Sequence, residues 1–201
     1  MIRILNLEPD NYSDSARQIL RSLGELDERY LSRAELLDCL SEYDVLIARL
    51  GHQIDREVLD AGVQLKAVIS ATTGLDHIDI EYAEQKRIAV LSLKGETQFL
   101  RTIRATAEHT WALLLALVRR LPWAFQSVLI SNWDRDAFRG HELCGKRLGI
   151  VGLGRLGQRT VEYAVAFGMQ VYAYDISRRE GIAGVTICGS LEELLRQSDV
   201  L

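Results

Sequence analysis

Three glycines carry the strongest chemical signal in this 201-residue chain. They lie in the run Leu148-Gly149-Ile150-Val151-Gly152-Leu153-Gly154-Arg155-Leu156-Gly157, where Gly152, Gly154 and Gly157 fit the spacing G-x-G-x-x-G. Such a turn, set between a strand and a helix, lets backbone N–H groups and a helix N-terminus approach an anionic pyrophosphate. Asp175 closes the next strand-like run, Val171-Tyr172-Ala173-Tyr174, where a carboxylate can accept hydrogen bonds from a ribose diol. The glycines alone are a weak signal. An apolar run before them, a helix after them and an acid at this distance make the pattern a dinucleotide-binding unit. The alternative is a glycine turn that serves only close packing of helix on strand. Arg155 and Leu156 stand where helix N–H groups face phosphate, and the Arg155 side chain either adds charge there or lies in solvent. Asp175 favours NAD over NADP, because a carboxylate repels a 2′-phosphate. Arg178 and Arg179 would oppose that preference as a phosphate clamp; as a charged surface loop they are neutral to it.

A second candidate site is Ser70-Ala71-Thr72-Thr73-Gly74-Leu75-Asp76-His77-Ile78-Asp79, which follows an apolar strand. Open α/β sheets bind ligands at the carboxyl ends of their strands. Gly74 permits close backbone approach, and successive N–H groups there can hold a small carboxylate. An ordinary capped turn into the next helix explains the same residues equally well.

These sites need an alternating framework, and the chain supplies one. Strands are expected at 2–7, 45–48, 65–70, 88–93, 148–151, 171–174 and 185–187. Asp10-Asn11, Ser32 with Glu35, Asp55 and Ser190 are candidate helix caps, and Gly24, Gly62 and Gly168 are candidate stops. Strands alternating with helices imply parallel sheets with helices on both faces. Thr102 to Leu121 reads as one long helix, apolar nearly all round and so buried or sandwiched, which Pro122 kinks or ends. A further helix is expected over 123–132 and a loop or arm over 133–146. Val200-Leu201 reads as the start of another strand.

Composition narrows the function classes. The apolar fraction of 48 % suits a cored globular protein, and a net charge of −4 lacks the basic footprint of a nucleic-acid or anionic-membrane partner. No apolar run is long enough to span a bilayer, and the N-terminus lacks the features of a signal peptide. A cytoplasmic protein is expected. Cys39, Cys144 and Cys188 are odd in number and far apart, so three buried, inert thiols are expected rather than disulfides or a metal site.

Three blocks in order make the chain resemble the D-isomer-specific 2-hydroxyacid dehydrogenase family, in the manner of its phosphoglycerate dehydrogenase branch. They are Thr73-Gly74-Leu75-Asp76-His77-Ile78-Asp79, then Ala105-Thr106-Ala107-Glu108, then Gly145 through Gly157 with Tyr174-Asp175. The resemblance implies a flavodoxin-like substrate domain over 1–101 and the first half of an NAD-binding Rossmann domain over 102–201, with the cofactor in the cleft between. It implies that amides around Gly74 and Leu75 hold the substrate carboxylate, with Thr73 near the nicotinamide. Gly152, Gly154, Arg155, Leu156, Gly157 and Asp175 would serve the rest of the cofactor, and hydride would pass between nicotinamide and C2 of a small 2-hydroxy or 2-oxo acid.

The family's catalytic arginine, glutamate and histidine have no counterpart in this chain, which on this expectation is the N-terminal two-thirds of such an enzyme and is inactive alone. His77 touches substrate or is structural. Glu108 reads as a hinge or capping contact, His109 as packing, and Arg104 as a surface arginine or an anion contact. The rival reading is a non-catalytic, NAD-sensing or corepressor-like interaction protein; a third is a fragment without independent function. The helix 111–121 with Trp123, Phe125, Trp133 and Phe138 is a candidate homodimer face, or else intramolecular packing.

Overall fold

The computed structural model describes residues 1–177 and 182–201. The chain divides into two compact units, Met1–Leu100 and Arg101–Leu201. Arg178 and Arg179 lie outside the described residues.

The first unit alternates β1 (Ile2–Asn6), α1 (Asp14–Leu23), β2 (Gly24–Glu28), α2 (Arg33–Cys39), β3 (Val45–Ile47), α3 (Arg56–Ala61), β4 (Ala67–Ser70), α4 (Ile80–Gln85) and β5 (Ala89–Ser92). The strands form one parallel sheet in the order β2-β1-β3-β4-β5. This is the flavodoxin-like order, with its switch point between β1 and β3. Register fixes the faces: Leu5, Leu46 and Val68 are in line across the sheet and bury against α2, α3 and α4. Caps explain why the helices start where they do. Ser32 and Glu35 form a reciprocal capping box, while the Asp55 and Asp79 carboxylates accept N–H groups of Val58 and Tyr82.

Two local expectations fail here. Ser13, not Asp10-Asn11, caps α1, and Asn11 instead takes a left-handed turn at φ 62°. Strand β2 was not anticipated: Gly-Glu-Leu-Asp-Glu has no apolar alternation. It is an edge strand, held by backbone pairing to β1, and its charges find partners, Asp27 with the Tyr43 hydroxyl and Glu28 with Arg17.

In the second unit, α5 (Thr97–Thr102) crosses the boundary and is followed by α6 (Ala105–Val118) and α7 (Leu121–Leu129). Strand β6 (Arg147–Val151), α8 (Arg155–Ala166), β7 (Gln170–Tyr174), β8 (Val185–Ile187) and α9 (Leu191–Gln197) complete it. Its parallel sheet has the order β6-β7-β8, and Val200 bridges Leu148 on the other side of β6. A Cβ on Gly149 would meet Ser198 Oγ at 2.1 Å, so only glycine lets that final segment lie so close.

The expected long helix 102–121 is three pieces. Ile103-Arg104 separates α5 from α6; Arg120, left-handed at φ 53°, separates α6 from α7. Pro122 sits in the first turn of α7 and starts that helix rather than ending its predecessor. Nor is α6 buried all round: only Ala107 and Trp111 are buried, while Leu113 is 58 % exposed. Its stripe of Trp111, Leu114, Leu115 and Val118 packs into the core, with Trp111 edge-on to Tyr163 and Phe167 of α8 at 6.0 and 5.1 Å. Of the cysteines only Cys188 is buried; Cys144 is exposed, correcting the expectation of three buried thiols, and all three are unpaired. No single helix among the described residues is long and apolar enough to cross a membrane.

Candidate functional site

The glycine turn is built by backbone. Strand β6 ends at Val151, and Gly152 turns the chain at φ 92° while its N–H donates to the Tyr174 carbonyl at the end of β7. A Cβ on Gly157 would meet the Gly152 carbonyl oxygen at 2.1 Å, so the first turn of α8 packs on the turn only through glycine. A Cβ on Gly154 would meet nothing within 4 Å. That residue therefore faces open space, and as N-cap it offers no side-chain acceptor to the first N–H groups of α8. The positive end of a 12-residue helix, next to an open surface at a glycine N-cap, fits an anionic pyrophosphate.

Six of the seven predicted cofactor residues, Gly152, Gly154, Arg155, Leu156, Gly157 and Asp175, meet at this turn, and the seventh, Thr73, belongs to the first unit. Gly152, Gly154, Arg155, Leu156 and Gly157 line a cavity of about 510 Å³, closed on the other side by Thr110, Trp111 and Leu114 of α6. Those α6 residues were missed as site residues, although their spacing marks the inward stripe of the helix. The Arg155 guanidinium donates to the Ile103 carbonyl at 3.1 Å, tying the start of α8 to the segment before α6. Asp175 sits one residue beyond β7. One carboxylate oxygen accepts the Leu153 N–H at 2.7 Å, and the other accepts the Ser177 N–H at 2.8 Å and the Ser177 hydroxyl. The acid thus braces the glycine turn. Within this cavity Arg155 is the only ionisable side chain among the described residues.

The second candidate loop follows β4. Thr73 and Gly74 are exposed and, with Leu50, Gln53, Thr72 and His77, line a cavity of about 610 Å³ in the first unit. The Leu75 side chain leaves this wall and packs against the core. The loop is tied down on all sides. Ser70 Oγ lies 2.9 Å from Thr72 Oγ1 and 3.2 Å from His77 Nε2, and Thr72 Oγ1 donates to the Gly74 carbonyl at 2.7 Å. Leu93 N–H donates to the Thr72 carbonyl, and Ile54 pairs with the 77–79 backbone. The facing turn is held by Glu8, whose Oε1 accepts the N–H groups of Arg49 and Gly51 at 2.7 and 3.1 Å. Neither the hydroxyl network nor Glu8 carried a motif that sequence alone could flag.

The structure corrects the reading of the α6 start. Glu108 and His109 are both exposed, so His109 is not a packing residue, and the Glu108 side chain caps nothing. Arg104 is an exposed N-cap residue without a side-chain capping bond.

Comparison with known proteins agrees with this geometry. Residues 111–201 match the description D-isomer specific 2-hydroxyacid dehydrogenase, NAD binding domain. The D-3-phosphoglycerate dehydrogenase of Methanocaldococcus jannaschii is 36 % identical over 205 residues, covering 100 % of this chain and 38 % of that protein. The hydroxypyruvate reductase of Thermotoga maritima is 34 % identical over 194 residues, covering 96 % of this chain and 61 % of that protein. The chain thus spans about two-fifths and three-fifths of the lengths of these curated relatives. The crystal structure of D-lactate dehydrogenase from Aquifex aeolicus complexed with NAD and lactic acid superposes with a TM-score of 0.83 at 29 % identity, covering 98 % of this chain and 58 % of that one. A flavodoxin-like sheet, a glycine turn shaped for pyrophosphate and these relatives lead to one conclusion: the chain belongs to the D-isomer specific 2-hydroxyacid dehydrogenase family.

Proposed function

We propose that this protein is an NAD-dependent oxidoreductase acting on the CH–OH group of a D-2-hydroxy acid. Its substrate on this reading resembles 3-phosphoglycerate or the glyoxylate–hydroxypyruvate pair. The observation that carries it is the open space at Gly154, the N-cap of α8, beside a backbone turn that only Gly152 and Gly157 permit. Bound NAD supplies the hydride acceptor. The chain's own residues bind and orient. N–H groups at Arg155 and Leu156 neutralise pyrophosphate charge, while Asp175 accepts from the ribose and repels a 2′-phosphate. Thr73, Gly74 and Leu75 present backbone amides to the substrate carboxylate, with Thr73 toward the nicotinamide.

General acid–base catalysis is worth about 10²–10⁴ in rate and needs a titratable group within hydrogen-bond reach of the reacting oxygen. Among the described residues the glycine-turn cavity holds none but Arg155, and an arginine stays charged; the cavity at the 73–75 loop adds Asp76 and His77, and the His77 ring is engaged by Ser70. On this reading the 201 residues alone bind NADH with turnover very weak or absent. Three unpaired cysteines fit a reducing compartment, which we take to be the cytoplasm. We also place a second copy of the chain on the exposed apolar face of α6 and α7. Leu117, Phe125 and Leu129 there, and Trp133 after the end of α7, are 65, 66, 83 and 79 % exposed; Trp111, buried in the core, is not part of that face.

Titration with NADH and NADPH, followed by steady-state assay with 3-phosphoglycerate, glyoxylate and hydroxypyruvate, tests this reading. We expect NADH to bind more tightly than NADPH, and Asp175→Asn to narrow that gap. Robust turnover by these 201 residues would refute the inactivity. NADH binding by the full-length protein without turnover of any such acid would favour the sensing role.

A further inference from the structure

We propose that His77, Ser70 and Thr72 form a one-way hydrogen-bond chain that positions the 73–75 loop for the acid's carboxylate; the proposal deepens, and rests on, the reading of that loop given above. The direction follows from counting protons. The Gly74 carbonyl can only accept, so the single hydroxyl proton of Thr72 is committed to it, at 2.7 Å. Thr72 Oγ1 must then accept from Ser70 Oγ, at 2.9 Å. With its own proton so used, Ser70 Oγ must accept from His77 Nε2, at 3.2 Å. Nε2 therefore carries hydrogen, and the neutral ring is the Nε2–H tautomer with Nδ1 bare.

The inner end of the network is enclosed, with Ser70 1 % and His77 7 % exposed, and its outer end reaches the surface, where Thr72 is half-buried. A polar chain anchored on buried members stiffens what it holds. What it holds is the Gly74-Leu75 peptide. That peptide is trans, so its C=O and N–H point in opposite directions. Drawing the carbonyl onto Thr72 turns the Leu75 N–H away from the hydroxyls. Among the described residues, a Cβ on Gly74 would meet only Asp76 Oδ2, at 3.7 Å. None of the three side chains need touch the acid; they are positioning residues, and they link a buried histidine to the orientation of a ligand-facing amide.

Long-range ¹⁵N NMR of the labelled 201-residue chain, at a pH where the ring is neutral, reads the tautomer directly. We expect a protonated Nε2 and a bare Nδ1 at His77; the opposite tautomer overturns the chain. Thr72→Val keeps the shape and removes the hydroxyl. It should speed exchange of the Ile78 amide, which closes the loop on the Leu75 carbonyl, by about fivefold, the worth of one net hydrogen bond. Thr72→Ser should restore the slow exchange, and His77→Gln, with an amide donor at similar reach, should retain it. Unchanged exchange in Thr72→Val also overturns the proposal. In the full-length protein the same variant should raise KM for glyoxylate about fivefold with kcat nearly unchanged. Loss of the dehydrogenase reading would leave the tautomer and exchange results standing, whereas wild-type turnover with the wrong tautomer would discard the chain alone.

Discussion

Gly154 and Gly157 belong to one motif but do different physical work. At Gly157 an added methyl would strike the Gly152 carbonyl at 2.1 Å; at Gly154 it would enter open space, and φ there is −66°, ordinary for alanine. Gly157→Ala should therefore cost stability, about 1–3 kcal/mol by forced repacking, and weaken NADH binding with it. Gly154→Ala should leave the thermal midpoint unchanged and weaken NADH alone, because its methyl occupies the ligand's side. Paired thermal melts and NADH fluorescence titrations check this, and equal loss of stability in both would contradict it. The motif was legible because a G-x-G-x-x-G turn is a backbone requirement written directly as residue type. The brace that Asp175 gives the turn was not: its bond to the Leu153 N–H joins residues 22 apart and needs β7 laid beside β6.

Among the elements, those with their own local signals were readable. Capped helices such as α2 and α3 and buried apolar strands such as β4 and β6 were expected within a residue or two of where they occur. Strand β2 was not, because its pairing with β1 rests on backbone groups that every sequence has. The break before α6 was also hidden, since an apolar run marks burial without marking which stripe faces the core; the break after it was expected at Pro122 and falls two residues earlier, at Arg120. A different long-range tie secures the segment bridging to β6. Asp199 accepts the Arg147 N–H at 2.9 Å and pairs with its guanidinium at 2.8 Å. Those hydrogen bonds hold the Asp199 carboxyl well below its ordinary value of 3.8. A carboxylate depressed in the folded state stabilises in full above that ordinary value, and the contribution is lost as pH falls toward the folded one. Urea unfolding against pH should show an acid limb below about pH 4, and Asp199→Asn should flatten it while lowering stability at neutral pH. An unchanged acid limb in the variant would show that the pair does not hold the segment.

At the scale of the whole molecule, each unit buries its own core, Leu5 through Ile88 in the first and Trp111 through Ala173 in the second. Apolar side chains left outside both cores concentrate on α6, α7 and the segment after them. If a second copy covers them, equilibrium sedimentation of the full-length protein should return a dimer, and Phe125→Glu with Leu129→Glu should shift it to monomer without loss of NADH binding. A purely monomeric wild type would remove the dimer. The amino-acid order by itself determined the class of fold, the dinucleotide turn and the family, because strand periodicity, helix caps and glycine turns are local and each is specified by residues close in sequence. Tertiary structure alone decided that β2 forms, that Trp111 closes the glycine-turn cavity, that Glu8 holds the 49–51 turn and that His77 lies behind the 73–75 loop. Each of those depends on groups brought together by sheet pairing and core packing, and no local signal encodes the identity of such a distant partner.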